Sequence, residues 1–475
     1  MSLRAGATAL ATAIALSGCA AVGPDYKVPD HAMVNDPRAN AAFLPEGQRA
    51  GYATSPVRDD WWKLYNDPTL DGLERQALQA NASLRTADAN LRRAGALLAA
   101  AEAEHEITAK TSAAAERTLI SAESYLQEEK LPTFNVATTG IEASYDFDLF
   151  GKLRRGVEAA TADAEAATAA RDVVRVTVAA QVASSYVGIC EAAHDLDVAH
   201  RTVQVQERGA DVAKRLFDAG LGNRLDVTRA TAQLDLARAA LPPLERRHEA
   251  SQYALAALLG HVPGDIPDAA KSCTSVPQPT QPIPVGDGMA MLRRRPDIRE
   301  AERKLAAATA RIGVATADLY PSVSLGASAG TNGLLADYGQ APARYWSIGP
   351  LISWTLPTRS ARERVEVAKA GADVALAAFD QTVIQALKET QTALSDYAHA
   401  LDREETLRQA LADATLASKQ AADLYHAGRT PYLNALDAER TRVAAETALT
   451  DAESAVSDAR IHVFYALGGG WQDGA

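Results

Sequence analysis

The side chains able to do covalent or metal chemistry in this 475-residue chain are few and scattered. There is no Gly-x-Ser-x-Gly elbow, no His-Glu-x-x-His pair and no phosphate-binding loop, and Gly220-Leu221-Gly222 lacks the strand that a nucleotide site requires before it. The 9 histidines and 3 cysteines show no zinc-ligand spacing. An enzyme needs convergent polar groups, so catalysis is set aside. Cys190 falls inside a helical pattern and Cys273 in a Pro-rich stretch. A disulfide requires their Cα atoms to come within reach, and two buried or free thiols are the expectation. Asp226 and Asp437 each follow a Gly turn, where an aspartate serves as a helix cap.

The third cysteine stands apart. Arg4 supplies a positive charge, residues 5–16 are uncharged and largely apolar, and small residues follow, so residues 1–18 read as a processing segment too short to span a bilayer. The segment ends in Leu16-Ser17-Gly18-Cys19, which resembles a bacterial lipobox, where cleavage precedes the cysteine and its thiol receives diacylglyceryl. Ala20 stands where an inner-membrane retention aspartate would be, so this resemblance implies a lipoprotein of the outer membrane.

The chain is 47% hydrophobic but only 5% aromatic, and much of the apolar share is alanine, which favours long, closely packed helices. Its net charge of −12, without a Lys/Arg block, excludes nucleic acid as a partner. After residue 18 no run of about 20 apolar residues is evident, so any membrane crossing must use strands.

Self-comparison organises the rest. Phe217-Asp218-Ala219-Gly220 recurs as Tyr425-His426-Ala427-Gly428, Leu225-Asp226-Val227 as Leu433-Asn434-Ala435, and Leu259-Gly260 as Leu467-Gly468, all at an offset of 208 (428 − 220). Ser83-Leu84 and the apolar positions after it answer to Asp297-Ile298 at an offset of 214. The division is an extended arm (19–66), a first repeat (67–260), a Pro-rich linker (261–288), a second repeat (289–468) and a tail (469–475). Each repeat reads helix, strand pair, very long helix, Gly turn, helix. The first helix starts at Asp67-Pro68, an N-cap followed by proline at N1. The long helices run from about Lys152 to Ala219 and from about Ala361 to Ala427, approaching 100 Å at ~1.5 Å per residue. Pro242-Pro243 must break or kink the first return helix.

Before each long helix the period switches to two. Ile141, Ala143, Tyr145, Phe147 and Leu149 alternate with Gly140, Glu142, Ser144, Asp146 and Asp148. Val323, Leu325, Ala327 and Ala329 alternate with serines and Gly326, and Trp346, Ile348, Ile352 and Trp354 share a face of the fourth segment. Residues 107–118 alternate more weakly. Such segments suit a transmembrane barrel with lipid outside and water inside, although a pair of hairpins in a soluble sheet shares the pattern. Single-chain barrels begin at about 8 strands, so a barrel here demands several copies.

Together these pieces resemble the TolC-type outer-membrane factors, in the lipid-anchored NodT/OprM-like branch that serves resistance-nodulation-division (RND) efflux pumps. The markers are Cys19 with Gly23-Pro24-Asp25-Tyr26; Trp61-Trp62 with Asp67-Pro68; Asp148-Leu149-Phe150-Gly151-Lys152; Arg294-Arg295-Pro296-Asp297-Ile298; and Ala466-Leu467-Gly468-Gly469-Gly470-Trp471. The resemblance implies a mainly α fold with a transmembrane β-barrel. It is built as a homotrimer, with a twelve-stranded β-barrel continued by a twelve-helix α-barrel in the periplasm. It further implies a passive exit duct without cofactor, docked to a periplasmic adaptor (membrane fusion protein) and an inner-membrane RND transporter, with an iris-like gate at its inner end. Matched motif to motif, Asp226 falls on a gate acid, Tyr425 on a gate tyrosine, Asp437 on an acidic ring and Asn434 where some members carry a second ring acid, while Arg429 lies one place before the gate arginine. Gly220, Leu225, Gly428 and Leu433 fall on the turns that meet the adaptor. Like charges around an axis repel, so closure needs compensating ties. Two departures bear on the barrel: His105-Glu106-Ile107 replaces the pattern Leu319-Tyr320-Pro321, implying a different entry for the first strand, and Pro350 sits within the fourth.

The competing reading is a periplasmic adaptor or coiled-coil scaffold lipoprotein. Adaptors carry one helical hairpin between lipoyl-like modules, which leaves the two repeats and their strands unexplained.

Overall fold

The computed structural model describes residues 21–41, 52–53, 55, 57–119, 121–123, 126, 128–129, 131–279, 281–286 and 288–469. The processing segment, Cys19 and the residues after 469, Gly470-Trp471 among them, lie outside the described residues. In chain order the elements are β1 (Tyr52–Ala53), α1 (Pro68–Ala80), α2 (Ala82–Ala103), β2 (Thr108–Thr118), β3 (Phe134–Phe147), α3 (Lys152–Asp218), α4 (Arg224–Ala239), α5 (Leu241–Leu258), β4 (Ile283–Pro284), α6 (Pro296–Ala317), β5 (Ser322–Leu334), β6 (Arg344–Ser353), α7 (Arg359–His426) and α8 (Tyr432–Ala466). The long helices end within two residues of their expected limits. The first return helix is broken into α4 and α5 at Ala240, because Pro242 and Pro243 have no N–H to continue the ladder.

Contacts divide the chain into two units, each drawing matching segments from both repeats: residues 1–29, 90–167 and 300–379 in one, and 30–89, 168–299 and 380–475 in the other. The first unit holds an antiparallel sheet in the order β2-β3-β5-β6. Its register aligns the alternation across strands. Ile141 pairs with Ala329 and that with Trp346; Ala143 with Ala327 and that with Ile348; Phe147 with Val323 and that with Ile352. Directly paired residues share a face, so one apolar face is continuous. That face is exposed: Trp346 is 78%, Ile348 66% and Ile352 67% accessible. The opposite face pairs Glu142 with Lys110 and Ser328, and Asp146 with Ser324.

The expected departure at the first strand does not occur. Thr108 and Ser322 open their strands at the repeat offset (322 − 108 = 214), and the turns before them make the same bonds, His105 and Glu106 N–H to Glu102 and Ala103 in one, Leu319 and Tyr320 N–H to Thr316 and Ala317 in the other. Backbone geometry, not side-chain identity, sets that entry. Pro350 lies on outer strand β6, opposite Leu325 of β5.

In the same unit the arm is gripped by Arg155, which is almost fully buried and donates to the carbonyls of Val22 and Gly23 and to Asp25 and Glu158. Gly23 has φ +92°, and a Cβ there would sit 2.5 Å from the Gly313 Cα, so two glycines permit the close approach. Asp148 accepts from the N–H groups of Leu153 and Arg154, capping α3.

In the second unit, Asp67 caps α1 by accepting from Thr69 and Leu70 N–H at 2.7 and 3.2 Å, and Leu70, Leu73 and Ala77 turn inward as the periodicity predicts. Trp61 stacks on Phe464 at 4.7 Å. The Arg294-Arg295 pair closes the chain's last helix: Arg294 donates twice to the Leu467 carbonyl, and Arg295 donates to Ala466 while pairing with Asp297 and Glu389. Burial alone would favour a neutral Arg295, but the two carboxylates hold it charged.

Cys190 and Cys273 are not free thiols: their Cα atoms stand 4.9 Å apart and they form a disulfide, tying the linker to α3. The linker folds back to α3 instead of running freely, which its Pro-rich composition concealed. One stretch of α3 is also long and apolar enough to cross a membrane by length and composition; 61% of it is buried within the protein, as in a core helix.

Candidate functional site

The expected site is the pair of Gly turns, α3 to α4 and α7 to α8, both in the second unit. The turns share one construction. Gly220 and Gly428 have φ +73° and +69°, the left-handed conformation that ends a helix. Leu221 N–H reaches back to the Leu216 carbonyl at 2.8 Å, and Arg429 N–H to Leu424 at 2.9 Å. Arg429 therefore occupies the position of Leu221, directly after the glycine, and its backbone helps close the turn.

The helix starts differ. Asn223 caps α4, its side chain accepting the Asp226 N–H at 2.9 Å. Asp226 is not the cap: it sits at N3, half-buried, where its charge opposes the unpaired N–H groups of the first turn. Asp437 lies beyond the first turn of α8 and is exposed, so it caps nothing either. Asn434 donates its amide to the Thr430 hydroxyl at 2.7 Å, bracing the turn. Tyr425 is half-buried between His426 and Tyr432, with ring centroids 5.5 and 5.4 Å away. Among the described residues no hydrogen bond or ion pair joins Asp226, Tyr425, Arg429 and Asp437 to one another within a single chain.

Two ties were not anticipated. Tyr432, the first residue of α8, donates its hydroxyl to the Gly209 carbonyl of α3 at 3.0 Å, linking the two hairpins. Its phenol is pushed upward, first by burial and then by neighbouring Tyr425. Glu439, on α8, accepts from Ser418 of α7 at 2.7 Å and pairs with Arg442, which also reaches Glu446. Burial would raise the Glu439 carboxyl, but the Arg442 and Ser418 hydrogen bonds hold it below the usual range. A tyrosine at a helix start and Glu-x-x-Arg-x-x-x-Glu spacing were legible, but their partners lie in other helices.

The tips are apolar and open to solvent. Leu221 is 79% accessible, and Leu225, Leu424 and Leu433 are exposed as well. No group of three His, Cys, Asp or Glu side chains able to hold a metal occurs among the described residues. The arrangement is mechanical: two turns of one construction with apolar tips, acids behind them, one hydrogen-bonded tie between the hairpins and another within the second.

Residues 73–261 and 289–469 match the outer membrane efflux protein family. The chain is 30% identical to outer membrane protein OprJ of Pseudomonas aeruginosa over 480 residues, covering 99% of this chain and 96% of that one. It is 28% identical to nodulation protein T of Rhizobium leguminosarum bv. trifolii, covering 92% and 91%. The solved structure of the outer-membrane channel OprN superposes with a TM-score of 0.87 at 36% identity, covering 95% of this chain and 100% of that one.

Proposed function

Because this chain belongs to the outer membrane efflux protein family, we infer that three copies assemble into an outer-membrane exit duct that opens when its periplasmic turns are engaged. The duct conducts passively; it is an efflux channel and not an enzyme. The carrying observation is the four-stranded sheet with one continuous, exposed apolar face and outer strands β2 and β6. Four strands cannot close a barrel. Pairing β6 of each copy with β2 of the next removes every edge, and three copies make twelve strands.

In this reading Cys19 carries diacylglyceryl and anchors each copy in the outer membrane of a Gram-negative bacterium. Asp226, Tyr425, Arg429, Asn434 and Asp437 form the gate, its acids brought together only by the three-fold axis. The apolar tips around Gly220, Leu225, Gly428 and Leu433 receive a periplasmic adaptor, which links the duct to an inner-membrane RND transporter. Support comes from the matched construction of the two turns and the exposure of their leucines.

The test is single-channel conductance of purified, lipidated protein in a planar bilayer. Small wild-type steps that grow in the Asp226→Ala, Tyr425→Phe variant are expected. Absence of channels in both, or a native mass matching one copy, would return the chain to the adaptor reading.

A further inference from the structure

In the first unit the two repeats meet along a closed seam. α3 lies against α6: Ala162 packs with Ala306 and Ala307, Arg303 pairs with Glu165 at 3.1 Å, and Arg311 pairs with Asp163. The strands joined to these helices pair in the same order, β3 with β5. The repeat offsets carry this seam onto the outer edges of the unit. Adding 208 takes Ala159, Ala162, Glu165 and Ala166 of α3 to Val367, Ala370, Asp373 and Val374 of α7; subtracting 214 takes Ala306, Ala307 and Ala310 of α6 to Arg92, Arg93 and Ala96 of α2. The alanines of the closed seam are buried, but every one of these counterparts is exposed, Val367 by 73% and Val374 by 70%. Among the described residues Arg92, Arg93 and Asp373 enter no ion pair.

The strands extend the equivalence. Thr108 and Ser322 open the two hairpins at matching positions, and each donates its hydroxyl to the carbonyl of the residue opposite, Ser144 and Ser353, both at 3.3 Å. β6 therefore follows β3 at an offset of 209 (353 − 144), while β5 follows β2 at 214 (322 − 108). Each helix and strand of the closed seam thus has a counterpart at an open edge: α7 and β6 at one, α2 and β2 at the other.

We propose that a second copy of this chain closes the open edge in the register of the seam within it. Under the offsets the Ala143–Ala327 pair becomes Ile352 beside the next copy's Ala113, and Ala137–Gly333 becomes Trp346 beside the next copy's Leu119, which keeps the apolar face outward across the junction. Val367, Ala370 and Val374 cover the next copy's Ala96. Asp373 pairs with the next copy's Arg93, which lies four residues, one helical turn, from the counterpart of Arg303 at Ala89. The proposal rests on the trimeric duct and adds to it which residues meet. Matching strand ends instead, Ser353 against Thr108, would set Ile352 beside Ala109, four residues or about 13 Å from Ala113.

The experiment is cross-linking of the full-length, lipidated protein in membranes with a methylene-bridged bis-methanethiosulfonate, too short to span the two strands that separate β2 from β6 within one copy. Ile352→Cys with Ala113→Cys is expected to run as a covalent trimer on a denaturing gel, and Ile352→Cys with Ala109→Cys as single chains. Arg93→Lys should couple to Asp373 through a zero-length carbodiimide, giving linked copies that Asp373→Asn removes. Linkage through Ala109→Cys, or linkage through neither in protein whose native mass is three copies, overturns the register and leaves the duct standing. Carbodiimide-linked copies that survive Asp373→Asn overturn the helix pairing. A native mass of one copy overturns both the register and the duct.

Discussion

Glu74 shows how one residue can be set against its surroundings. It lies on the inward face of α1, fully buried, and neither carboxylate oxygen has a hydrogen-bond partner among the described residues. Burial, with Asp71 nearby, drives its carboxyl well above the ordinary range, a direction that favours the uncharged form. Glu74→Met keeps the volume and removes both oxygens, and we expect it to raise stability by about 1–3 kcal/mol, read as a higher melting temperature. Tyr432 is the opposite case, a polar group fully used. Tyr432→Phe removes one interhelical hydrogen bond, should cost about 1 kcal/mol, and should increase channel conductance if the hairpins must part for opening. The helical position of Glu74 was readable from spacing alone, but not its isolation. A glutamate among leucines on one face reads as the edge of a polar stripe, and only packing decides whether that edge meets solvent.

Among the elements, agreement between sequence and structure follows the range of the interaction. Long α3 and α7 were legible because helix content is local: alanine-rich, proline-free stretches bounded by glycine. The turns were legible because φ near +70° demands glycine at the same place in both repeats. Gly428→Ala is therefore expected to destabilise the second hairpin by about 1–2 kcal/mol and to broaden hydrogen exchange at the tip of α8. The sheet was legible in its alternation, and its register then followed from the pairing. By contrast, the Cys190–Cys273 bridge and the closure of α8 by Arg294 and Arg295 join residues 83 and more than 170 positions apart, and no local pattern encodes them. Within the candidate site the two Gly turns were legible in the repeat, while the assignment of a cap to Asp226 failed because Asn223 stands at the better-placed position, and Asp437 lies too far along its helix to cap it. Removing the bridge by Cys190→Ser should cost about 2–4 kcal/mol and make melting insensitive to reductant, whereas wild type loses a similar amount on reduction.

At the scale of the whole molecule, the carboxyls of the second unit set a pH response. Glu191 is pushed up to about 8, by burial first and then by Asp458, against the pull of Arg247. A carboxyl raised on folding contributes stability that is fully present below its unfolded value near 4.5 and is lost as pH rises through about 8. Glu74 adds in the same direction. The melting temperature should therefore fall between about pH 5 and pH 8, and Glu191→Gln should flatten that slope; a slope unchanged in the variant would place the response elsewhere. The arm carries a different consequence. Its strand β1 lies parallel to β4, Tyr52 beside Ile283, its Tyr52 hydroxyl bonds the Leu394 carbonyl, and Met33 N–H bonds Asp380. Every one of these partners is made at least 231 residues later (283 − 52). The arm emerges before these seats exist, so a chain cut short before residue 283 would keep the Arg155 grip on residues 22–25 but lack β4, Leu394 and Asp380, the seats of residues 33 and 52–53, and that stretch of the arm should be trimmed first by protease.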